Sequence, residues 1–159
     1  SVGNLIANNE SDEKKFNVFN RLRFLNFIFS FIGGIGILVV IKPFISVWVG
    51  EKYLLSNLVT FTLVFNFFQK TQRSVYNTFK DSAGIWYEDR YVPLVESAIN
   101  IISSIVLLKI FGLAGVFMGT IISGLTLWCY SYPKYVYKKL FNRSYLDYAK
   151  ENTFDIIFL

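Results

Sequence analysis

Histidine is absent from this 159-residue chain, and it contains one cysteine, one methionine and three prolines. Without histidine, the most common metal ligand and every histidine-based catalytic triad are excluded. The single cysteine, Cys129, provides neither a disulfide framework nor a metal cluster. We therefore predict no catalytic residues, no metal site, no cofactor and no enzymatic activity for these residues.

Charge is also scarce, and apolar residues are abundant. Charged residues make up 17% of the chain, whereas hydrophobic residues make up 53% and aromatic residues 19%. The mean hydropathy of +0.43 is higher than that of a typical soluble domain. The apolar residues form four runs, at residues 24–41, 54–69, 92–110 and 113–132. At about 1.5 Å per residue, each run is long enough as a helix to cross or nearly cross the hydrocarbon core of a membrane.

The basic residues are sorted among the loops between these runs. Thirteen of the sixteen lie before the first run, between the second and third, or after the fourth. They are Lys14, Lys15, Arg21, Arg23, Lys70, Arg73, Lys80, Arg90, Lys134, Lys138, Lys139, Arg143 and Lys150. Short basic loops stay on the cytoplasmic side, so we expect a multi-pass protein of the cytoplasmic membrane with both ends of the chain inside. This placement predicts membrane lipids, and not nucleic acid, as partners of the basic residues.

The predicted organisation is therefore all-α and integral to the membrane. Residues 1–23 are expected to be the tail of a preceding helix and a cytoplasmic loop, and residues 24–132 a segment of four transmembrane helices. The second of these is expected to extend over 54–83, because no proline or glycine interrupts that stretch. Residues 133–151 are predicted to be an amphipathic helix in the membrane interface, and 154–159 the start of a further spanning helix. The chain is thus predicted to be a piece of a longer protein, whose remaining helices pack against it.

A polar stripe runs along the predicted second helix. Asn66, Lys70, Arg73 and Asn77 follow one another at three- and four-residue spacing, which places them on one helix face. In a membrane, such a stripe must face protein or a water-filled cavity. One interpretation is a cavity wall for an anionic, hydroxyl-rich ligand, because arginine suits phosphate and amides suit sugar hydroxyls. The alternative is that the basic residues only mark the cytoplasmic end, and that Asn66 bonds a neighbouring helix.

The third run contains the one carboxylate predicted inside a spanning helix, Glu96, with Asn100 on the same face. A charged residue in a membrane is costly and is usually retained for binding or proton movement. We therefore keep two interpretations open. Glu96 either contributes to a substrate or coupling-ion site, for a proton or sodium ion, or it forms a structural ion pair with Arg73 or Arg90.

Small residues on the fourth run predict close helix packing. Gly115, Gly119 and Ser123 recur at every fourth position, the pattern that lets two helix backbones approach each other. We predict that these three residues contact a neighbouring helix and do not bind a ligand directly.

Five stretches, in this order and spacing, carry a resemblance to a known family. They are SVGNLIA (1–7), PFISVWVGEKYLL (43–55), YNTFKDSAG (76–84), DRYVPLVESAINIISSIVL (89–107) and FGLAGVFMGTIISG (111–124). Together they resemble the second half of the C-terminal lobe of oligosaccharide flippases, the polysaccharide-transporter branch of the multidrug/oligosaccharidyl-lipid/polysaccharide exporter superfamily. The resemblance implies a larger two-lobed exporter that moves polyprenyl-diphosphate-linked oligosaccharide across a bacterial inner membrane by alternating access, during capsule or O-antigen synthesis. It implies no particular substrate residues.

Two other functions share some of these features. A membrane-embedded glycan polymerase or glycosyltransferase would belong to the same kind of pathway, but it usually needs a large outer loop, and the predicted outer loops here are short. A multidrug exporter of the same superfamily would share the fold and differ in the chemistry of its cavity. The substrate cavity predicted for the flippase comprises Asn66, Lys70, Arg73, Asn77, Glu96 and Asn100.

Overall fold

The structure is a computed structural model that describes residues 2–8 and 10–157, with side chains up to residue 152. All regular secondary structure in this part of the chain is helical, which confirms the predicted all-α class. The α-helices are α1 (Val2–Ala7), α2 (Asp12–Trp48), α3 (Asn57–Ser82), α4 (Val92–Phe111), α5 (Leu113–Thr126) and α6 (Tyr145–Ile157). A 3₁₀ turn covers Glu51–Tyr53, and α5 continues without a break into a π-helical segment, Leu127–Leu140.

Three helices in the described residues are long and apolar enough to cross a membrane: α2, α4, and α5 together with the π-helical segment. They are also largely unburied, since few residues of their most apolar stretches lie inside the structure. Phe29 is 71% exposed and Val47 is 90% exposed. Large exposed apolar surfaces are rare in soluble monomers, so the three helices are compatible with a membrane protein.

The predicted second span corresponds to α3, which is not among these three helices. Polar side chains occur along the whole of α3, and several of them, including Thr62, Gln69 and Gln72, are buried. The helix lies between α2 and α5, which explains how those side chains avoid an apolar environment. A fourth span therefore stays a prediction.

The helix boundaries differ from the prediction at both ends of the chain. The helix α2 begins at Asp12, within the predicted loop 1–23, because the side chain of Ser11 accepts a hydrogen bond from the backbone N–H of Lys14. Its 37 residues correspond to about 55 Å, longer than a bilayer core.

At the other end, the predicted interfacial segment 133–151 is divided by a turn after the π-helical segment. Ser144 and Asp147 cap α6 reciprocally: the side chain of Asp147 accepts from Ser144, and the backbone N–H of Asp147 donates to the Ser144 hydroxyl. These hydrogen bonds also lower the pKa of the Asp147 carboxyl group. The predicted new span at 154–159 coincides with the last residues of α6, and residues 158 and 159 lie outside the described chain.

The main hydrophobic core lies at the end of the bundle that carries most basic residues. Phe19 of α2 is fully buried, and its ring centroid lies 5.0 Å from Tyr76, 5.2 Å from Phe79 and 5.1 Å from Phe141. The contacts with Tyr76 and Phe79 are edge-to-face, and such pairs stabilise more than buried area alone, by about 0.5 to 1.5 kcal/mol per pair. This core joins α2, α3 and the π-helical segment, while α4 packs mainly on α5.

We expect the Ser30→Ala variant to be less stable by about 1 kcal/mol, because Gln72 on α3 then loses its hydrogen-bond partner on α2. The Gln72 side-chain nitrogen donates to the Ser30 hydroxyl at 2.6 Å, and both side chains are buried. Thermal unfolding in detergent micelles measures the effect. Ser74→Ala, an exposed position on α3, is the matched control and should leave the midpoint unchanged. Equal midpoints for the two variants would contradict a stabilising role for this hydrogen bond.

Candidate functional site

A polar cleft of about 570 Å³ opens where α3, α4 and α5 meet. Its lining residues are Lys70, Arg73 and Asn77 of α3, Glu96, Ser97, Asn100 and Ile101 of α4, and Thr120 of α5. Helical spacing explains the arrangement, because residues three or four apart on α3 and on α4 project from one face of each helix. The structure thus brings five of the six predicted cavity residues around one cleft and leaves Asn66 outside it.

An ion pair between Arg73 and Glu96 crosses the cleft from α3 to α4. The guanidinium contacts both carboxylate oxygens, with Nη1 to Oε1 at 2.7 Å and Nη2 to Oε2 at 3.0 Å. The two side chains are only 14% and 20% exposed. Two-point contacts of this kind are strong and geometrically specific. Glu96 therefore has the partner that its structural interpretation requires, and an anionic ligand must compete with Glu96 for Arg73.

Two amides line the cleft, and each is partly engaged in hydrogen bonds. The side-chain oxygen of Asn77 accepts a hydrogen bond from the Tyr132 hydroxyl at 3.3 Å. The side-chain nitrogen of Asn100 donates to the Ser123 hydroxyl at 3.1 Å. An amide carries two donors and two acceptor sites, so both residues retain hydrogen-bonding capacity toward a ligand.

Lys70 supplies the unbalanced charge of the cleft. Its side chain is exposed, and within the described residues no carboxylate lies close enough to form an ion pair with it. Because Arg73 and Glu96 neutralise each other, the cleft has one net positive charge. A lysine ammonium on a flexible stem is well suited to meet a phosphate oxygen at an open site.

Asn66 lies on the same face of α3 as Lys70, one turn away, but it is buried and does not reach the cleft. Its side-chain oxygen has no hydrogen-bond partner among the described residues, and the same holds for the side-chain oxygen of Gln69. A buried amide without a partner is costly, so these two oxygens are exceptions to the usual satisfaction of buried polar groups.

The α4–α5 contact that closes one side of the cleft contains the three predicted packing residues. Gly115, Gly119 and Ser123 are all buried. A Cβ atom added to Gly115 would lie 2.1 Å from the Leu107 carbonyl oxygen, and one added to Gly119 would lie 2.3 Å from the Ser104 hydroxyl. Only glycine permits the backbones of α4 and α5 to approach this closely. The close approach brings Asn100 of α4 and Thr120 of α5 to the same cleft.

Sequence reasoning missed Ser97, Ile101 and Thr120 as lining residues. Ser97 and Ile101 directly follow Glu96 and Asn100 on α4, so a helical-wheel projection of α4 could have identified them. Thr120 lines the cleft only because α5 packs against α4, which the sequence does not show. Sequence reasoning also counted Lys80 among the basic residues of a cytoplasmic loop. It is buried instead, where it pairs with Asp89, and Asp89 accepts a hydrogen bond from Ser131 at 2.9 Å. No local sequence signal links these three residues.

Among the described residues, no group of three or more acidic or cysteine residues is arranged to hold a metal ion. Comparisons with protein-family models, with curated proteins and with solved structures find no match to this chain. In the part of the chain that the structure describes, the fold and the site define an all-helical protein with three candidate membrane-spanning helices and a polar, positively charged cleft where α3, α4 and α5 meet.

Proposed function

We propose that this chain is part of a transporter that moves a diphosphate-linked, lipid-anchored oligosaccharide across the bacterial cytoplasmic membrane by alternating access. The observation that supports this most is the cleft, because it combines one net positive charge with amide groups beside helices that are long, apolar and exposed. A ligand with a phosphate group, sugar hydroxyls and a long apolar chain matches all three features. The sorting of basic residues supports an orientation with both ends of the chain on the cytoplasmic side.

Each part of such a ligand has a partner of suitable chemistry. In this proposal Lys70 attracts the diphosphate, and Asn77 and Asn100 exchange hydrogen bonds with the sugars; all three line the cleft. The apolar chain would remain in the lipid along the exposed surface of α4, which includes Leu94 and Ile102.

Glu96 is the proposed site of the coupling ion. Proton binding to its carboxylate would remove the negative charge that holds Arg73 and would raise the net charge of the cleft from one to two. An anionic ligand would then bind more strongly, so proton binding and ligand binding would favour each other. A sodium ion bound to the Glu96 carboxylate would compete with Arg73 for the same oxygens, and it would likewise free Arg73 to bind an anionic ligand.

A multidrug exporter is the second candidate, and a specific cavity favours it. A mainly apolar pocket of about 390 Å³ lies on another face of α3, where Phe65, Phe68 and Trp128 contribute to its walls. Such a pocket suits an apolar drug. Deletion of the full gene separates the two functions: accumulation of lipid-linked oligosaccharide in the inner leaflet supports the flippase, whereas increased drug sensitivity with normal glycan export supports the drug exporter.

We predict that Lys70→Ala slows translocation of a fluorescent lipid-diphosphate oligosaccharide by about fivefold, the effect of losing one contact of about 1 kcal/mol. The measurement uses the full-length protein in proteoliposomes. Stability should change by less than about 0.5 kcal/mol, because Lys70 is exposed and has no ion pair in the described part of the chain. Lys109→Ala is the matched control. Lys109 lies in the last turn of α4, outside the cleft, so this variant should translocate normally. Equal rates for both variants would argue against the cleft as the anion site.

A further inference from the structure

A second surface rich in aromatic and basic residues lies outside the cleft. It is formed by the loop 83–91, between α3 and α4, and by the π-helical segment. We call it the aromatic–basic patch, and it comprises Trp86, Tyr87, Arg90, Tyr91, Tyr130 and Lys134. Its aromatic side chains are 51% to 66% exposed, although large aromatic rings usually favour burial. Such exposure points to a surface in contact with something other than water.

The two cations of the patch are held by aromatic rings. The Arg90 guanidinium lies 4.2 Å from the ring centroid of Tyr87 and 4.7 Å from that of Tyr91. The Lys134 ammonium lies 4.7 Å from the ring centroid of Tyr130 and donates a hydrogen bond to its hydroxyl at 2.6 Å. Contacts of this kind orient a cation without neutralising its charge.

Both carboxylates of the loop are paired with other lysines. Glu88 pairs with Lys139, and Asp89 pairs with the buried Lys80. The hydrogen bond from Lys139 holds the pKa of the Glu88 carboxyl group below its usual value. Within the described residues, neither Arg90 nor Lys134 has a carboxylate partner, and the patch keeps both positive charges.

Two contacts fix the loop against the π-helical segment and so place the two cations on one surface. The Ser131 hydroxyl donates to Asp89 at 2.9 Å, and the Tyr135 hydroxyl donates to the backbone carbonyl oxygen of Glu88 at 3.1 Å. Arg90 follows the anchored Asp89 directly, and Lys134 lies between Ser131 and Tyr135 on the other side of the same contact.

The patch also lies where the apolar helix α4 begins. The helix α4 begins at Val92, directly after Tyr91, and exposes Leu94 and Val95 in its first turn. Tryptophan and tyrosine favour the interface between hydrocarbon and water, and arginine and lysine there attract anionic headgroups. We propose that the patch binds an anionic phospholipid, with the phosphodiester between Arg90 and Lys134 and the acyl chains along the first turns of α4. This inference rests on the membrane insertion in the proposed function, and it does not require transport.

The test measures phospholipid that stays bound to the full-length protein after detergent extraction, by native mass spectrometry. Mixed micelles contain phosphatidylglycerol and phosphatidylcholine in equal amounts. We expect wild type to retain phosphatidylglycerol preferentially. We expect Arg90→Ala with Lys134→Ala to weaken its apparent affinity about thirtyfold, because each of the two cations near a lipid surface contributes about 1 kcal/mol. The matched control is Arg21→Ala with Lys150→Ala, which also removes two exposed cations. It should stay within about twofold of wild type, because neither residue belongs to the aromatic–basic patch.

Three outcomes would overturn the proposal: no preference for phosphatidylglycerol in wild type, equal losses in both double variants, or displacement of the lipid by millimolar inorganic phosphate alone. If the alanine double variant does not fold, Arg90→Gln with Lys134→Gln removes the same charges and decides the question. A wild-type protein that does not enter lipid nanodiscs would instead contradict membrane insertion and with it the proposed function.

Discussion

Replacing Arg73 by alanine is expected to lower the free energy of unfolding by about 3 kcal/mol, because the carboxylate of Glu96 then stays partly buried without its partner. Both oxygens of that carboxylate contact the guanidinium, and four fifths of the Glu96 side chain is shielded from solvent. The expected loss is at the lower end of the range for buried pairs, since the open cleft admits some water. Thermal or denaturant unfolding in detergent micelles measures it.

The double variant Arg73→Met with Glu96→Met serves as the control, because it removes both charges and preserves volume. Its stability should return to within about 1 kcal/mol of wild type. Translocation by the same variant then separates the two interpretations of the pair. A purely structural pair predicts recovered translocation, whereas a pair that binds substrate and coupling ion predicts that translocation stays impaired. A stable Arg73→Ala protein would contradict the first expectation.

Replacing Gly119 by alanine is expected to destabilise the α4–α5 hairpin by about 3 kcal/mol, the upper end of the usual cost of overpacking. The new Cβ would lie 2.3 Å from the Ser104 hydroxyl and 2.6 Å from its backbone nitrogen. Backbone atoms cannot rotate away, so the helices must separate. Gly115→Ala should act in the same direction, because its nearest atoms also belong to the backbone, at Leu107. Unfolding midpoints and the efficiency of cysteine cross-linking between α4 and α5 both report the separation.

Gly36→Ala is the matched control for these variants. It makes the same substitution within α2, where a new Cβ would meet nothing within 4 Å. Its stability should be unchanged or higher, by up to about 1 kcal/mol, because alanine favours a helix over glycine. If Gly36→Ala and Gly119→Ala destabilise equally, close approach of the helices is not the reason that glycine occupies position 119.

Much of the cleft follows from the sequence, because its residues are local neighbours on helices. The spacing of Lys70, Arg73 and Asn77 places them on one face of α3, and the four-residue step from Glu96 to Asn100 does the same on α4. Helical periodicity alone predicts such groupings, and the residue types give Arg73 and Glu96 opposite charges. It does not show that the two faces meet, which depends on how α3 and α4 are arranged around α5.

Asn66 shows the limit of this reasoning. Its spacing relative to Lys70 is as regular as that of any other member of the stripe, yet it is buried and lies outside the cleft. Asn66 is buried because α3 packs between α2 and α5. The helical period predicts which residues share a face, but it does not predict which neighbouring helix covers each turn of that face. Lys80 is a second case, because Asp89 and Ser131 approach it only in the folded chain.

By itself, the sequence determined the all-helical class, the apolar runs that lie within the three long apolar helices, and the residues that share each helix face. Those properties are local, since they follow from hydrophobic run length and a 3.6-residue period. Only the tertiary structure decided that Arg73 pairs with Glu96, that Asn66 is covered, and that the loop with Arg90 packs against the π-helical segment with Lys134. These three features depend on contacts between residues far apart in the chain. Such contacts are decided by how the helices pack, and local helical periodicity does not predict them.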